Sequence, residues 1–350
     1  MSIKIISPQD WFDQAPKPPL FDVRSPGEFV AGHWPGAKSL PLFTDAERAE
    51  VGTLYKQTSP DEAFLRGLEF SGKKMRWYVE EARAQTAGDK IAVHCWRGGQ
   101  RSQSMAWLLS KVFKEVLVIE GGYKALRNTG RKNLAGFEVP LFMLGGPTGS
   151  GKTKILHELQ ALGGNILDLE AMAHHKGSSF GALGEEEQPT VEQFENDLFH
   201  QFHGLGAHSQ PIWLENESKS IGRVYLPNEL WQKMLNAPLV QLDIPLAWRI
   251  ENLVADYANF KKEDLVLAFE RIRKRLGGQH LNTALEALAK DDFSTAARIA
   301  LQYYDKAYHA SLEKNGQKPN WILAPEQNDP KAIAQALLAW QEEQGGALMK

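Results

Sequence analysis

Residues 146–153, GPTGSGKT, constrain the fold more than any other stretch of this sequence. They match the pattern G-x4-G-K-[S/T] and lie between a strand-like run, LFML, and a helix-like run, KILHEL. In that context glycines let backbone N–H groups approach phosphate oxygens, a lysine adds positive charge, and a hydroxyl can coordinate Mg²⁺. The pattern therefore predicts a strand–loop–helix unit of an α/β domain that binds a phosphate-bearing ligand. We assign to this phosphate loop Gly146, Thr148, Gly149, Ser150, Gly151, Lys152 and Thr153.

Two carboxylates at the ends of predicted strands are further candidates for the same site. Asp168 lies in NILDLE and Glu215 in PIWLENES. Ligands of α/β domains bind at the carboxyl ends of parallel strands, so both side chains are candidates for contacting a metal or a water there. Arg223, which follows the second segment, is a candidate for covering the bound ligand. We assign no dedicated metal ligand, although the phosphate loop itself is compatible with Mg²⁺.

A second stretch, VHCWRGGQRSQS at 93–104, predicts another anion site. Cys95 follows an apolar strand and precedes a glycine-containing loop and a helix, SMAWLLSKVF. Backbone N–H groups and a helix N-terminus favour anions and lower the pKa of a thiol, so Cys95 is a candidate nucleophile. Arg97 and Arg101 add positive charge, and Arg101 is predicted to bind tetrahedral oxyanions. Cys95 is the single cysteine, which excludes an internal disulfide.

The pattern of elements predicts two α/β domains. In the first half, PLFDVR, KIAVHC and EVLVIEGG alternate with amphipathic stretches, which is typical of parallel strands joined by helices. We place the first domain at 1–132, with a helical insertion at about 44–87, and the second at 138–350, with a helical C-terminal region. The segment between them, within NTGRKNLAGFEVP, is predicted to be a linker.

Charge and hydropathy limit the compartment and the partners. The 350 residues carry a formal net charge of −3, no apolar run long enough to span a bilayer, and an N-terminus unlike a secretory signal, so we expect a cytoplasmic protein without a membrane partner. The net charge opposes indiscriminate binding of nucleic acid, but RIRKR at 271–275 is a basic cluster. It is a candidate RNA contact, with a solvated helix face or a cover over the phosphate loop as alternatives. Its members are Arg271, Arg273, Lys274 and Arg275.

The segment at 21–42, FDVRSPGEFVAGHWPGAKSLPL, resembles the entry segment of rhodanese-type sulfurtransferases. The resemblance implies a rhodanese-like parallel-sheet domain in which Cys95 carries sulfur or selenium, and in which Asp22, Arg24 and Glu28 tie the fold together. The spacing of His94, Cys95, Arg101 and Ser102 is also that of cysteine-dependent phosphatases. A loop of this length is wide enough for a phosphate ester or for selenophosphate.

A rhodanese-like domain followed by a P-loop domain is similar to the tRNA 2-selenouridine synthase family. GTLYKQTSP, DLEAMAHHKGSSFG, WLENESKSIGRVYLP and RIRKRLGG also match that family. The resemblance implies an enzyme that acts on the wobble uridine in the tRNA anticodon arm. Its 2-thio group would be alkylated from geranyl diphosphate at the P-loop and then replaced by selenium from selenophosphate through Cys95. The prenyl chain requires an apolar groove, lined either by the insertion at 44–87 or by the helical C-terminal third.

Two other readings stay open on the residues alone. One is a P-loop ATPase or kinase with a regulatory rhodanese domain, because the loop chemistry accepts a nucleotide as well as a prenyl diphosphate. The other is a fusion with a cysteine-dependent phosphatase domain. The first requires nucleotide turnover that is lost with Lys152→Ala, and the second requires release of phosphate from an ester without tRNA.

Overall fold

The computed structural model describes residues 2–205 and 210–348, with side chains up to residue 344, and the chain divides into two compact units. Unit 1 takes in the chain up to Gly136 together with Glu192–Gly204. Unit 2 takes in Phe137–Val191 and the chain from Leu205 onward. Within the described ranges, no helix is both long enough and apolar enough to cross a membrane.

Unit 1 is built on a five-stranded parallel sheet with the order β1-β5-β4-β2-β3. The strands are β1 (Ser2–Ile6), β2 (Leu20–Asp22), β3 (Lys38–Ser39), β4 (Lys90–His94) and β5 (Glu115–Ile119). The helices are α1 (Pro8–Phe12), α2 (Pro26–Ala31), α3 (Asp45–Gln57), α4 (Pro60–Gly72), α5 (Met75–Gln85), α6 (Gln100–Leu109) and α7 (Gly122–Ala135). Helices α3 to α5 occupy the region where the sequence predicts a helical insertion.

The core of unit 1 includes the predicted cysteine, which directly follows β4. Ile91, Val93 and Cys95 alternate along the strand and belong to one buried cluster with residues of α5 and α6. A parallel strand that is covered by helices reads as a nearly continuous apolar run. The polar residues that follow therefore begin at the carboxyl edge of the sheet, where the cysteine loop lies.

Unit 2 contains a second five-stranded parallel sheet, with the order β12-β11-β6-β8-β7, and a two-stranded antiparallel hairpin, β9–β10. The strands are β6 (Leu141–Gly145), β7 (Asn165–Leu167), β8 (Ile212–Glu215), β9 (Ser220–Ile221), β10 (Val224–Tyr225), β11 (Leu239–Leu242) and β12 (Trp321–Leu323). The helices are α8 (Lys152–Ala161), α9 (Leu169–Ala173), α11 (Asn228–Asn236), α12 (Leu246–Tyr257), α13 (Lys262–Arg271), α14 (Arg273–Leu276), α15 (Gly278–Ala289), α16 (Phe293–Lys314) and α17 (Pro330–Leu348). Two parallel α/β sheets and a helical C-terminal region confirm the predicted fold class.

Helix α10 (Val191–Leu205) lies in sequence within the second predicted domain, 138–350, but most of it belongs to unit 1 by its contacts. Arg127 of α7 donates to the backbone oxygen of Glu192 at 2.8 Å, to Asn196 at 2.9 Å and to Glu195 at 2.6 Å. Gly130 lies so close to Phe199 that an added Cβ would be 2.9 Å from the phenylalanine Cβ. The sequence places this amphipathic helix within 138–350, and only its tertiary contacts assign it to the first unit.

Candidate functional site

The predicted nucleophile, Cys95, is buried where β4 ends, and only 3% of its surface is exposed. Its Sγ lies 3.3 Å from Oγ of Ser102, in the first turn of α6. Ser102 Oγ is also 3.0 Å from the backbone oxygen of Gly99, to which it donates. A hydroxyl has one proton. The thiol therefore donates to Ser102 in this arrangement, and rotation of the same hydroxyl would let it donate to a thiolate.

The cysteine loop rests on the N-terminus of α7. The backbone N–H groups of Tyr123 and Lys124 donate to the backbone oxygens of Cys95 at 2.8 Å and Trp96 at 3.1 Å. Gly122 has φ +61°, and an added Cβ would lie 2.3 Å from the Cys95 oxygen and 2.5 Å from the nitrogen of Gly98. The second glycine of the EVLVIEGG segment, Gly122, is therefore required by close backbone packing beneath the loop.

The two arginines assigned to this loop differ in how they are held. Nη1 of Arg101 donates to Oε2 of Glu28 at 2.7 Å, whereas the side chain of Arg97 is exposed. Burial works to raise the pKa of Glu28, but the hydrogen bond and charge of Arg101, together with the backbone N–H of Ser25 and the charge of Arg48, outweigh it and hold that pKa below its ordinary value. The predicted oxyanion ligand, Arg101, is therefore fixed at its position by a carboxylate.

A buried ion pair supports the strand next to β4. Arg24 and Asp22 are completely buried, and Arg24 Nη2 donates to Asp22 at 2.6 Å and to the backbone oxygen of Gly32 at 2.7 Å. His94 Nδ1 lies 3.8 Å from Asp22, and burial lowers the pKa of His94, so this imidazole is neutral near pH 7. Asp22, Arg24 and Glu28 hold unit 1 together, as the rhodanese resemblance implies.

The phosphate loop of unit 2 joins β6 to α8, as its sequence predicts. Nζ of Lys152 donates to the backbone oxygen of Gly146 at 3.2 Å, across the turn, and Ser150 Oγ donates to the oxygen of Pro147 at 2.6 Å. Burial works to lower the pKa of Lys152, but nearby carboxylates, led by Glu215, outweigh it and raise that pKa. The lysine is therefore charged and positioned at the phosphate-binding turn.

Helix α12 fixes the outer side of the same loop. Arg249 Nε donates to the backbone oxygen of Thr148 at 2.9 Å, and Asn252 donates to that of Gly149 at 2.9 Å. Arg249 also forms an ion pair with Asp305 of α16. Gly149 has φ +83°, and an added Cβ would lie 2.7 Å from the backbone oxygen of Arg249. Only glycine fits this contact, so the loop and α12 constrain each other.

Three carboxylates lie together at Thr153, and two of them are absent from the sequence prediction. Oγ1 of Thr153 donates to Glu215 at 2.6 Å and lies 3.2 Å from Glu170. One oxygen from each of Glu170, Glu215 and Glu217 lies within 4.8 Å of the others. The sequence feature that could have identified Glu170 and Glu217 is their spacing, since each lies two residues after one of the predicted acids, Asp168 and Glu215.

Mutual repulsion and burial change the titration of this cluster. Burial first, then the charges of Glu215 and Glu217, raise the pKa of Glu170 to about 9. Burial raises the pKa of Glu215 to about 7. The positive charge of Lys152 opposes this shift, and the negative charge of Glu217 adds to it. Oxygen ligands around a threonine hydroxyl are the donor set that Mg²⁺ prefers. The cluster therefore fits a divalent cation, whose charge would replace the protons that the carboxylates otherwise retain.

Asp168 lies at the carboxyl end of β7, where the sequence predicts it, and its side chain caps the next helix. Its Oδ1 accepts from the backbone N–H of Ala171 at 2.8 Å and caps α9, while its Oδ2 lies 2.7 Å from Nε2 of His157. Asp168 therefore orients the helix that carries Glu170, and the Thr153 hydroxyl contacts Glu170 and Glu215 instead.

The remaining predicted residues are exposed in unit 2. Arg223 lies in the turn of the β9–β10 hairpin, where its backbone N–H donates to Gln188 at 2.8 Å. Arg273 donates to Glu270 twice, at 2.6 Å each. Arg271 donates to the oxygen of Ser179 at 3.3 Å and Arg275 to Tyr303 at 3.0 Å. The basic cluster is thus a surface feature, and part of its charge is already paired.

An apolar cavity opens beside the phosphate loop within unit 2. Its volume is about 550 Å³ including its open mouth, and Thr148 belongs to its lining. The other lining residues come from α12, α13, α15, α16 and the segment around Phe180, and most carry hydrocarbon side chains. The predicted apolar groove in the helical C-terminal third therefore has a counterpart next to the phosphate loop.

Known proteins resemble the chain over nearly its whole length. The family model for the tRNA 2-selenouridine synthase AAA domain matches 139–342, and that for the rhodanese-like domain matches 9–129. A tRNA 2-selenouridine synthase of Sulfurovum is 37% identical, with 86% of this chain and 90% of that protein covered. One from Psychromonas ingrahamii is 33% identical with the same coverage, and one from Bordetella petrii is 33% identical over 91% of this chain and 95% of that protein. With its thiol loop, its phosphate loop and this similarity, the chain belongs to the tRNA 2-selenouridine synthase family.

Proposed function

We propose that this enzyme converts 2-thiouridine to 2-selenouridine at the tRNA wobble position by S-geranylation from geranyl diphosphate, followed by selenium transfer from selenophosphate. The observation that carries the geranyl step is the position of Thr148, which belongs to the phosphate loop and also lines the apolar cavity. A diphosphate that carries a hydrocarbon chain has these two chemistries in one molecule. The buried thiol of unit 1 supports the selenium step.

In the first stage the residues of unit 2 bind and orient the prenyl donor. Lys152 and the backbone N–H groups of the loop would hold the diphosphate, and they would stabilise it as it leaves with negative charge. Thr153, Glu215 and Glu170 would hold Mg²⁺, which when bound supplies further charge neutralisation. Alkylation activates the nucleoside, since a thioether-like sulfur leaves more readily than a thiocarbonyl sulfur.

In the second stage the residues of unit 1 bind the selenium donor. Arg101 and Arg97, with the N–H groups of the loop, would bind the phosphate oxygens of selenophosphate. Ser102 would donate to the Cys95 thiolate, which would attack the phosphorus of bound selenophosphate and break the P–Se bond, so that selenide leaves. Water then cleaves the S–P bond, which frees Cys95 and releases phosphate, while the selenide displaces the geranylthiolate from C2 of the nucleoside. Selenium stays at the selenide level throughout, so these steps need neither an oxidant nor a reductant.

The tRNA substrate requires a positively charged surface. Phosphate contacts dominate the affinity of proteins for RNA, and unpaired bases are held by stacking. The exposed cluster at 271–275 and Arg223 are the candidates, with the anticodon arm as the partner.

The test follows the wobble nucleoside by mass spectrometry. Full-length protein is incubated with 2-thiouridine-containing tRNA, Mg²⁺ and geranyl diphosphate, and selenophosphate is then added. Wild type should form the geranylated and then the selenated nucleoside. Cys95→Ala should stop at the geranylated nucleoside, and Lys152→Ala should not reach it. An unchanged nucleoside with wild type would contradict the proposal, and ATP turnover would then be the next assay.

A further inference from the structure

Aromatic rings form much of the wall of the apolar cavity beside the phosphate loop. Five of the described residues that line it are aromatic, namely Phe180, Tyr257, Phe269, Phe293 and Tyr304, and none of the described lining residues carries a full charge. The ring of Phe180 meets three of the others edge to face, with centroids 5.0, 6.1 and 6.4 Å apart. Because the faces of aromatic rings carry negative charge density, the cavity offers π electrons as well as hydrocarbon contact.

Tyr257 is the ring that lies towards the phosphate loop. On the same helix, α12, Asn252 donates to the backbone oxygen of Gly149 at 2.9 Å, and an added Cβ on Gly149 would lie 3.2 Å from Cγ of Leu253. Tyr257 follows Leu253 by one helical turn, about 6 Å along the axis, and both side chains line the cavity. Burial first, then the charge of Glu170, raises the pKa of Tyr257. The phenol is therefore neutral, and it lies within range of the carboxylate cluster.

A positive charge already lies near the ring of Tyr257. Nζ of Lys176 is 5.8 Å from the ring centroid, within the roughly 6 Å over which a cation and a π face attract each other. Lys176 is also paired with Glu185 at 3.0 Å, which offsets its charge. The π electrons of Tyr257 are therefore directed at a place where positive charge is accepted.

Phe293 marks the opposite end of the cavity. It is the first residue of α16, whereas Tyr308, further along that helix, accepts from the backbone N–H of Gly146 at 2.9 Å. At 1.5 Å per residue, Phe293 lies about 22 Å from Tyr308 along the axis. The first carbon of a prenyl chain is bonded to the diphosphate. With the diphosphate at the phosphate loop, that carbon is therefore near Tyr257 and remote from Phe293.

Departure of diphosphate from an allylic carbon creates positive charge on the chain. The C1–O bond breaks and the diphosphate takes its electron pair, so the developing charge is shared between C1 and C3. The sulfur of 2-thiouridine supplies the pair for the new S–C1 bond, and the proton on N3 passes to water. No oxidant or reductant takes part. Groups placed where charge develops stabilise the transition state more than the bound substrate, and so they accelerate the reaction.

We propose that the ring of Tyr257 contacts the first carbons of the prenyl chain and stabilises the positive charge that develops there, so that this enzyme requires an allylic diphosphate. The inference rests on the proposed function and deepens it, because it names the class of donor and a catalytic residue outside the phosphate loop. Lys152 would stabilise the negative charge of the departing diphosphate, and Tyr257 would stabilise the positive charge left behind.

Single-turnover geranylation of 2-thiouridine-containing tRNA by the full-length protein with Mg²⁺ tests this role. Tyr257→Phe is compared with proteins that carry phenylalanine with one, two or three ring fluorines at position 257, since fluorine withdraws π electrons with little change in shape. Tyr257→Phe should keep the rate within about threefold, and successive fluorines should then lower it, to about tenfold below Tyr257→Phe. The affinity for geranyl diphosphate, measured by calorimetry, should stay within about threefold across the series.

Donor analogues probe the charge on the same carbon. With wild type, 2-fluorogeranyl diphosphate should react far more slowly than geranyl diphosphate, because fluorine destabilises an allylic cation. Citronellyl diphosphate, which lacks the allylic double bond, should bind without reacting. Tyr257→Leu, which keeps an apolar side chain but loses the ring, should lower the rate by about tenfold to thirtyfold.

Phe293 provides the matched control, because it is an aromatic residue of the same cavity at the end remote from the phosphate loop. The same fluorinated series at position 293 should leave the rate within about twofold. The inference is overturned if fluorination at position 257 has no graded effect, or if the series at position 293 has an equal one. It is also overturned if 2-fluorogeranyl diphosphate reacts as fast as geranyl diphosphate, which would indicate direct displacement by sulfur.

The proposed function fails separately. Wild-type protein that forms no geranylated nucleoside, or that binds ATP in preference to geranyl diphosphate, would remove the prenyl donor from this site, and the role of Tyr257 with it. Wild-type protein that geranylates tRNA at a rate indifferent to fluorination at position 257 would overturn only the role of Tyr257.

Discussion

Arg101, the arginine in the first turn after the cysteine loop, donates a hydrogen bond to Glu28 at 2.7 Å, and both side chains are mostly buried. Glu28 in turn closes the first turn of α2 through a capping box with Ser25. The predicted ligand of the selenium donor is therefore aimed by a carboxylate from another helix. Its remaining N–H groups, rather than the whole guanidinium, are the ones left for an oxyanion.

Glu28→Gln should slow the selenium step while leaving geranylation unchanged. The amide keeps the shape of Glu28 but loses the charge that holds Arg101, and because this pair is mostly buried the change should cost more stability than the roughly 0–1 kcal/mol of an exposed pair. Single-turnover selenation of geranylated tRNA measures the effect. Glu50→Gln, which breaks the exposed pair with Arg66 in the same unit, is the control. Equal rates for Glu28→Gln and wild type would show that Arg101 needs no such anchor.

Glu170→Gln should stabilise the protein at high pH in the absence of divalent cations. The pKa of Glu170 is raised from 4.5 to about 9, so the folded state binds more protons than the unfolded state across that interval. Stability is therefore lost progressively as the pH rises through it. Thermal unfolding in a chelator should give a gap between variant and wild type that is small at pH 5 and large at pH 9.

Mg²⁺ should narrow that gap at pH 9, because a cation at the carboxylates relieves the repulsion that the variant removes. Glu80→Gln, an exposed glutamate on α5, serves as the control. A gap that is the same at every pH would mean that Glu170 titrates normally.

Gly122→Ala should distort the cysteine loop. A residue with a Cβ at φ +61° costs roughly 1–2 kcal/mol from backbone strain alone, and the new atom would collide with the Cys95 oxygen. We expect a lower free energy of unfolding and a changed rate of Cys95 alkylation by iodoacetamide. Gly99→Ala, in the same loop with open space around it, should be nearly neutral. Two variants of equal stability would contradict the packing described here.

Each residue of the basic cluster should contribute less to tRNA binding when its charge is already paired with a carboxylate of the protein. Lys274→Ala should weaken binding and flatten its salt dependence by about one unit of slope. Glu270→Gln should strengthen binding, because it releases Arg273 from its bidentate pair. Fluorescence titration of labelled tRNA at several salt concentrations measures both, with the exposed Lys331→Ala as control. Affinity and slope unchanged in Lys274→Ala would remove this residue from the interface.

The phosphate loop and the cysteine loop could be predicted because each is local. A few consecutive residues of backbone set the relative positions of Gly149, Lys152 and Thr153, so a short sequence pattern is enough to predict their arrangement. The same holds for Cys95 between β4 and α6. The parallel sheets followed from apolar runs that alternate with amphipathic stretches, and such runs reflect burial on both faces.

Packing between segments that are distant in the chain decided the features that the sequence did not predict. Glu170 joins Glu215 and Glu217 only because β7 and β8 are neighbours in the sheet and bring two strand ends together. Helix α10 joins unit 1 through contacts of Arg127 and Gly130, residues more than 60 positions away. The sequence by itself determined where the two candidate anion-binding loops lie, since their backbone conformation is encoded within a few residues. Only the tertiary structure decided which carboxylates meet at Thr153 and where the apolar cavity lies, because those sites form between segments that are distant in the chain.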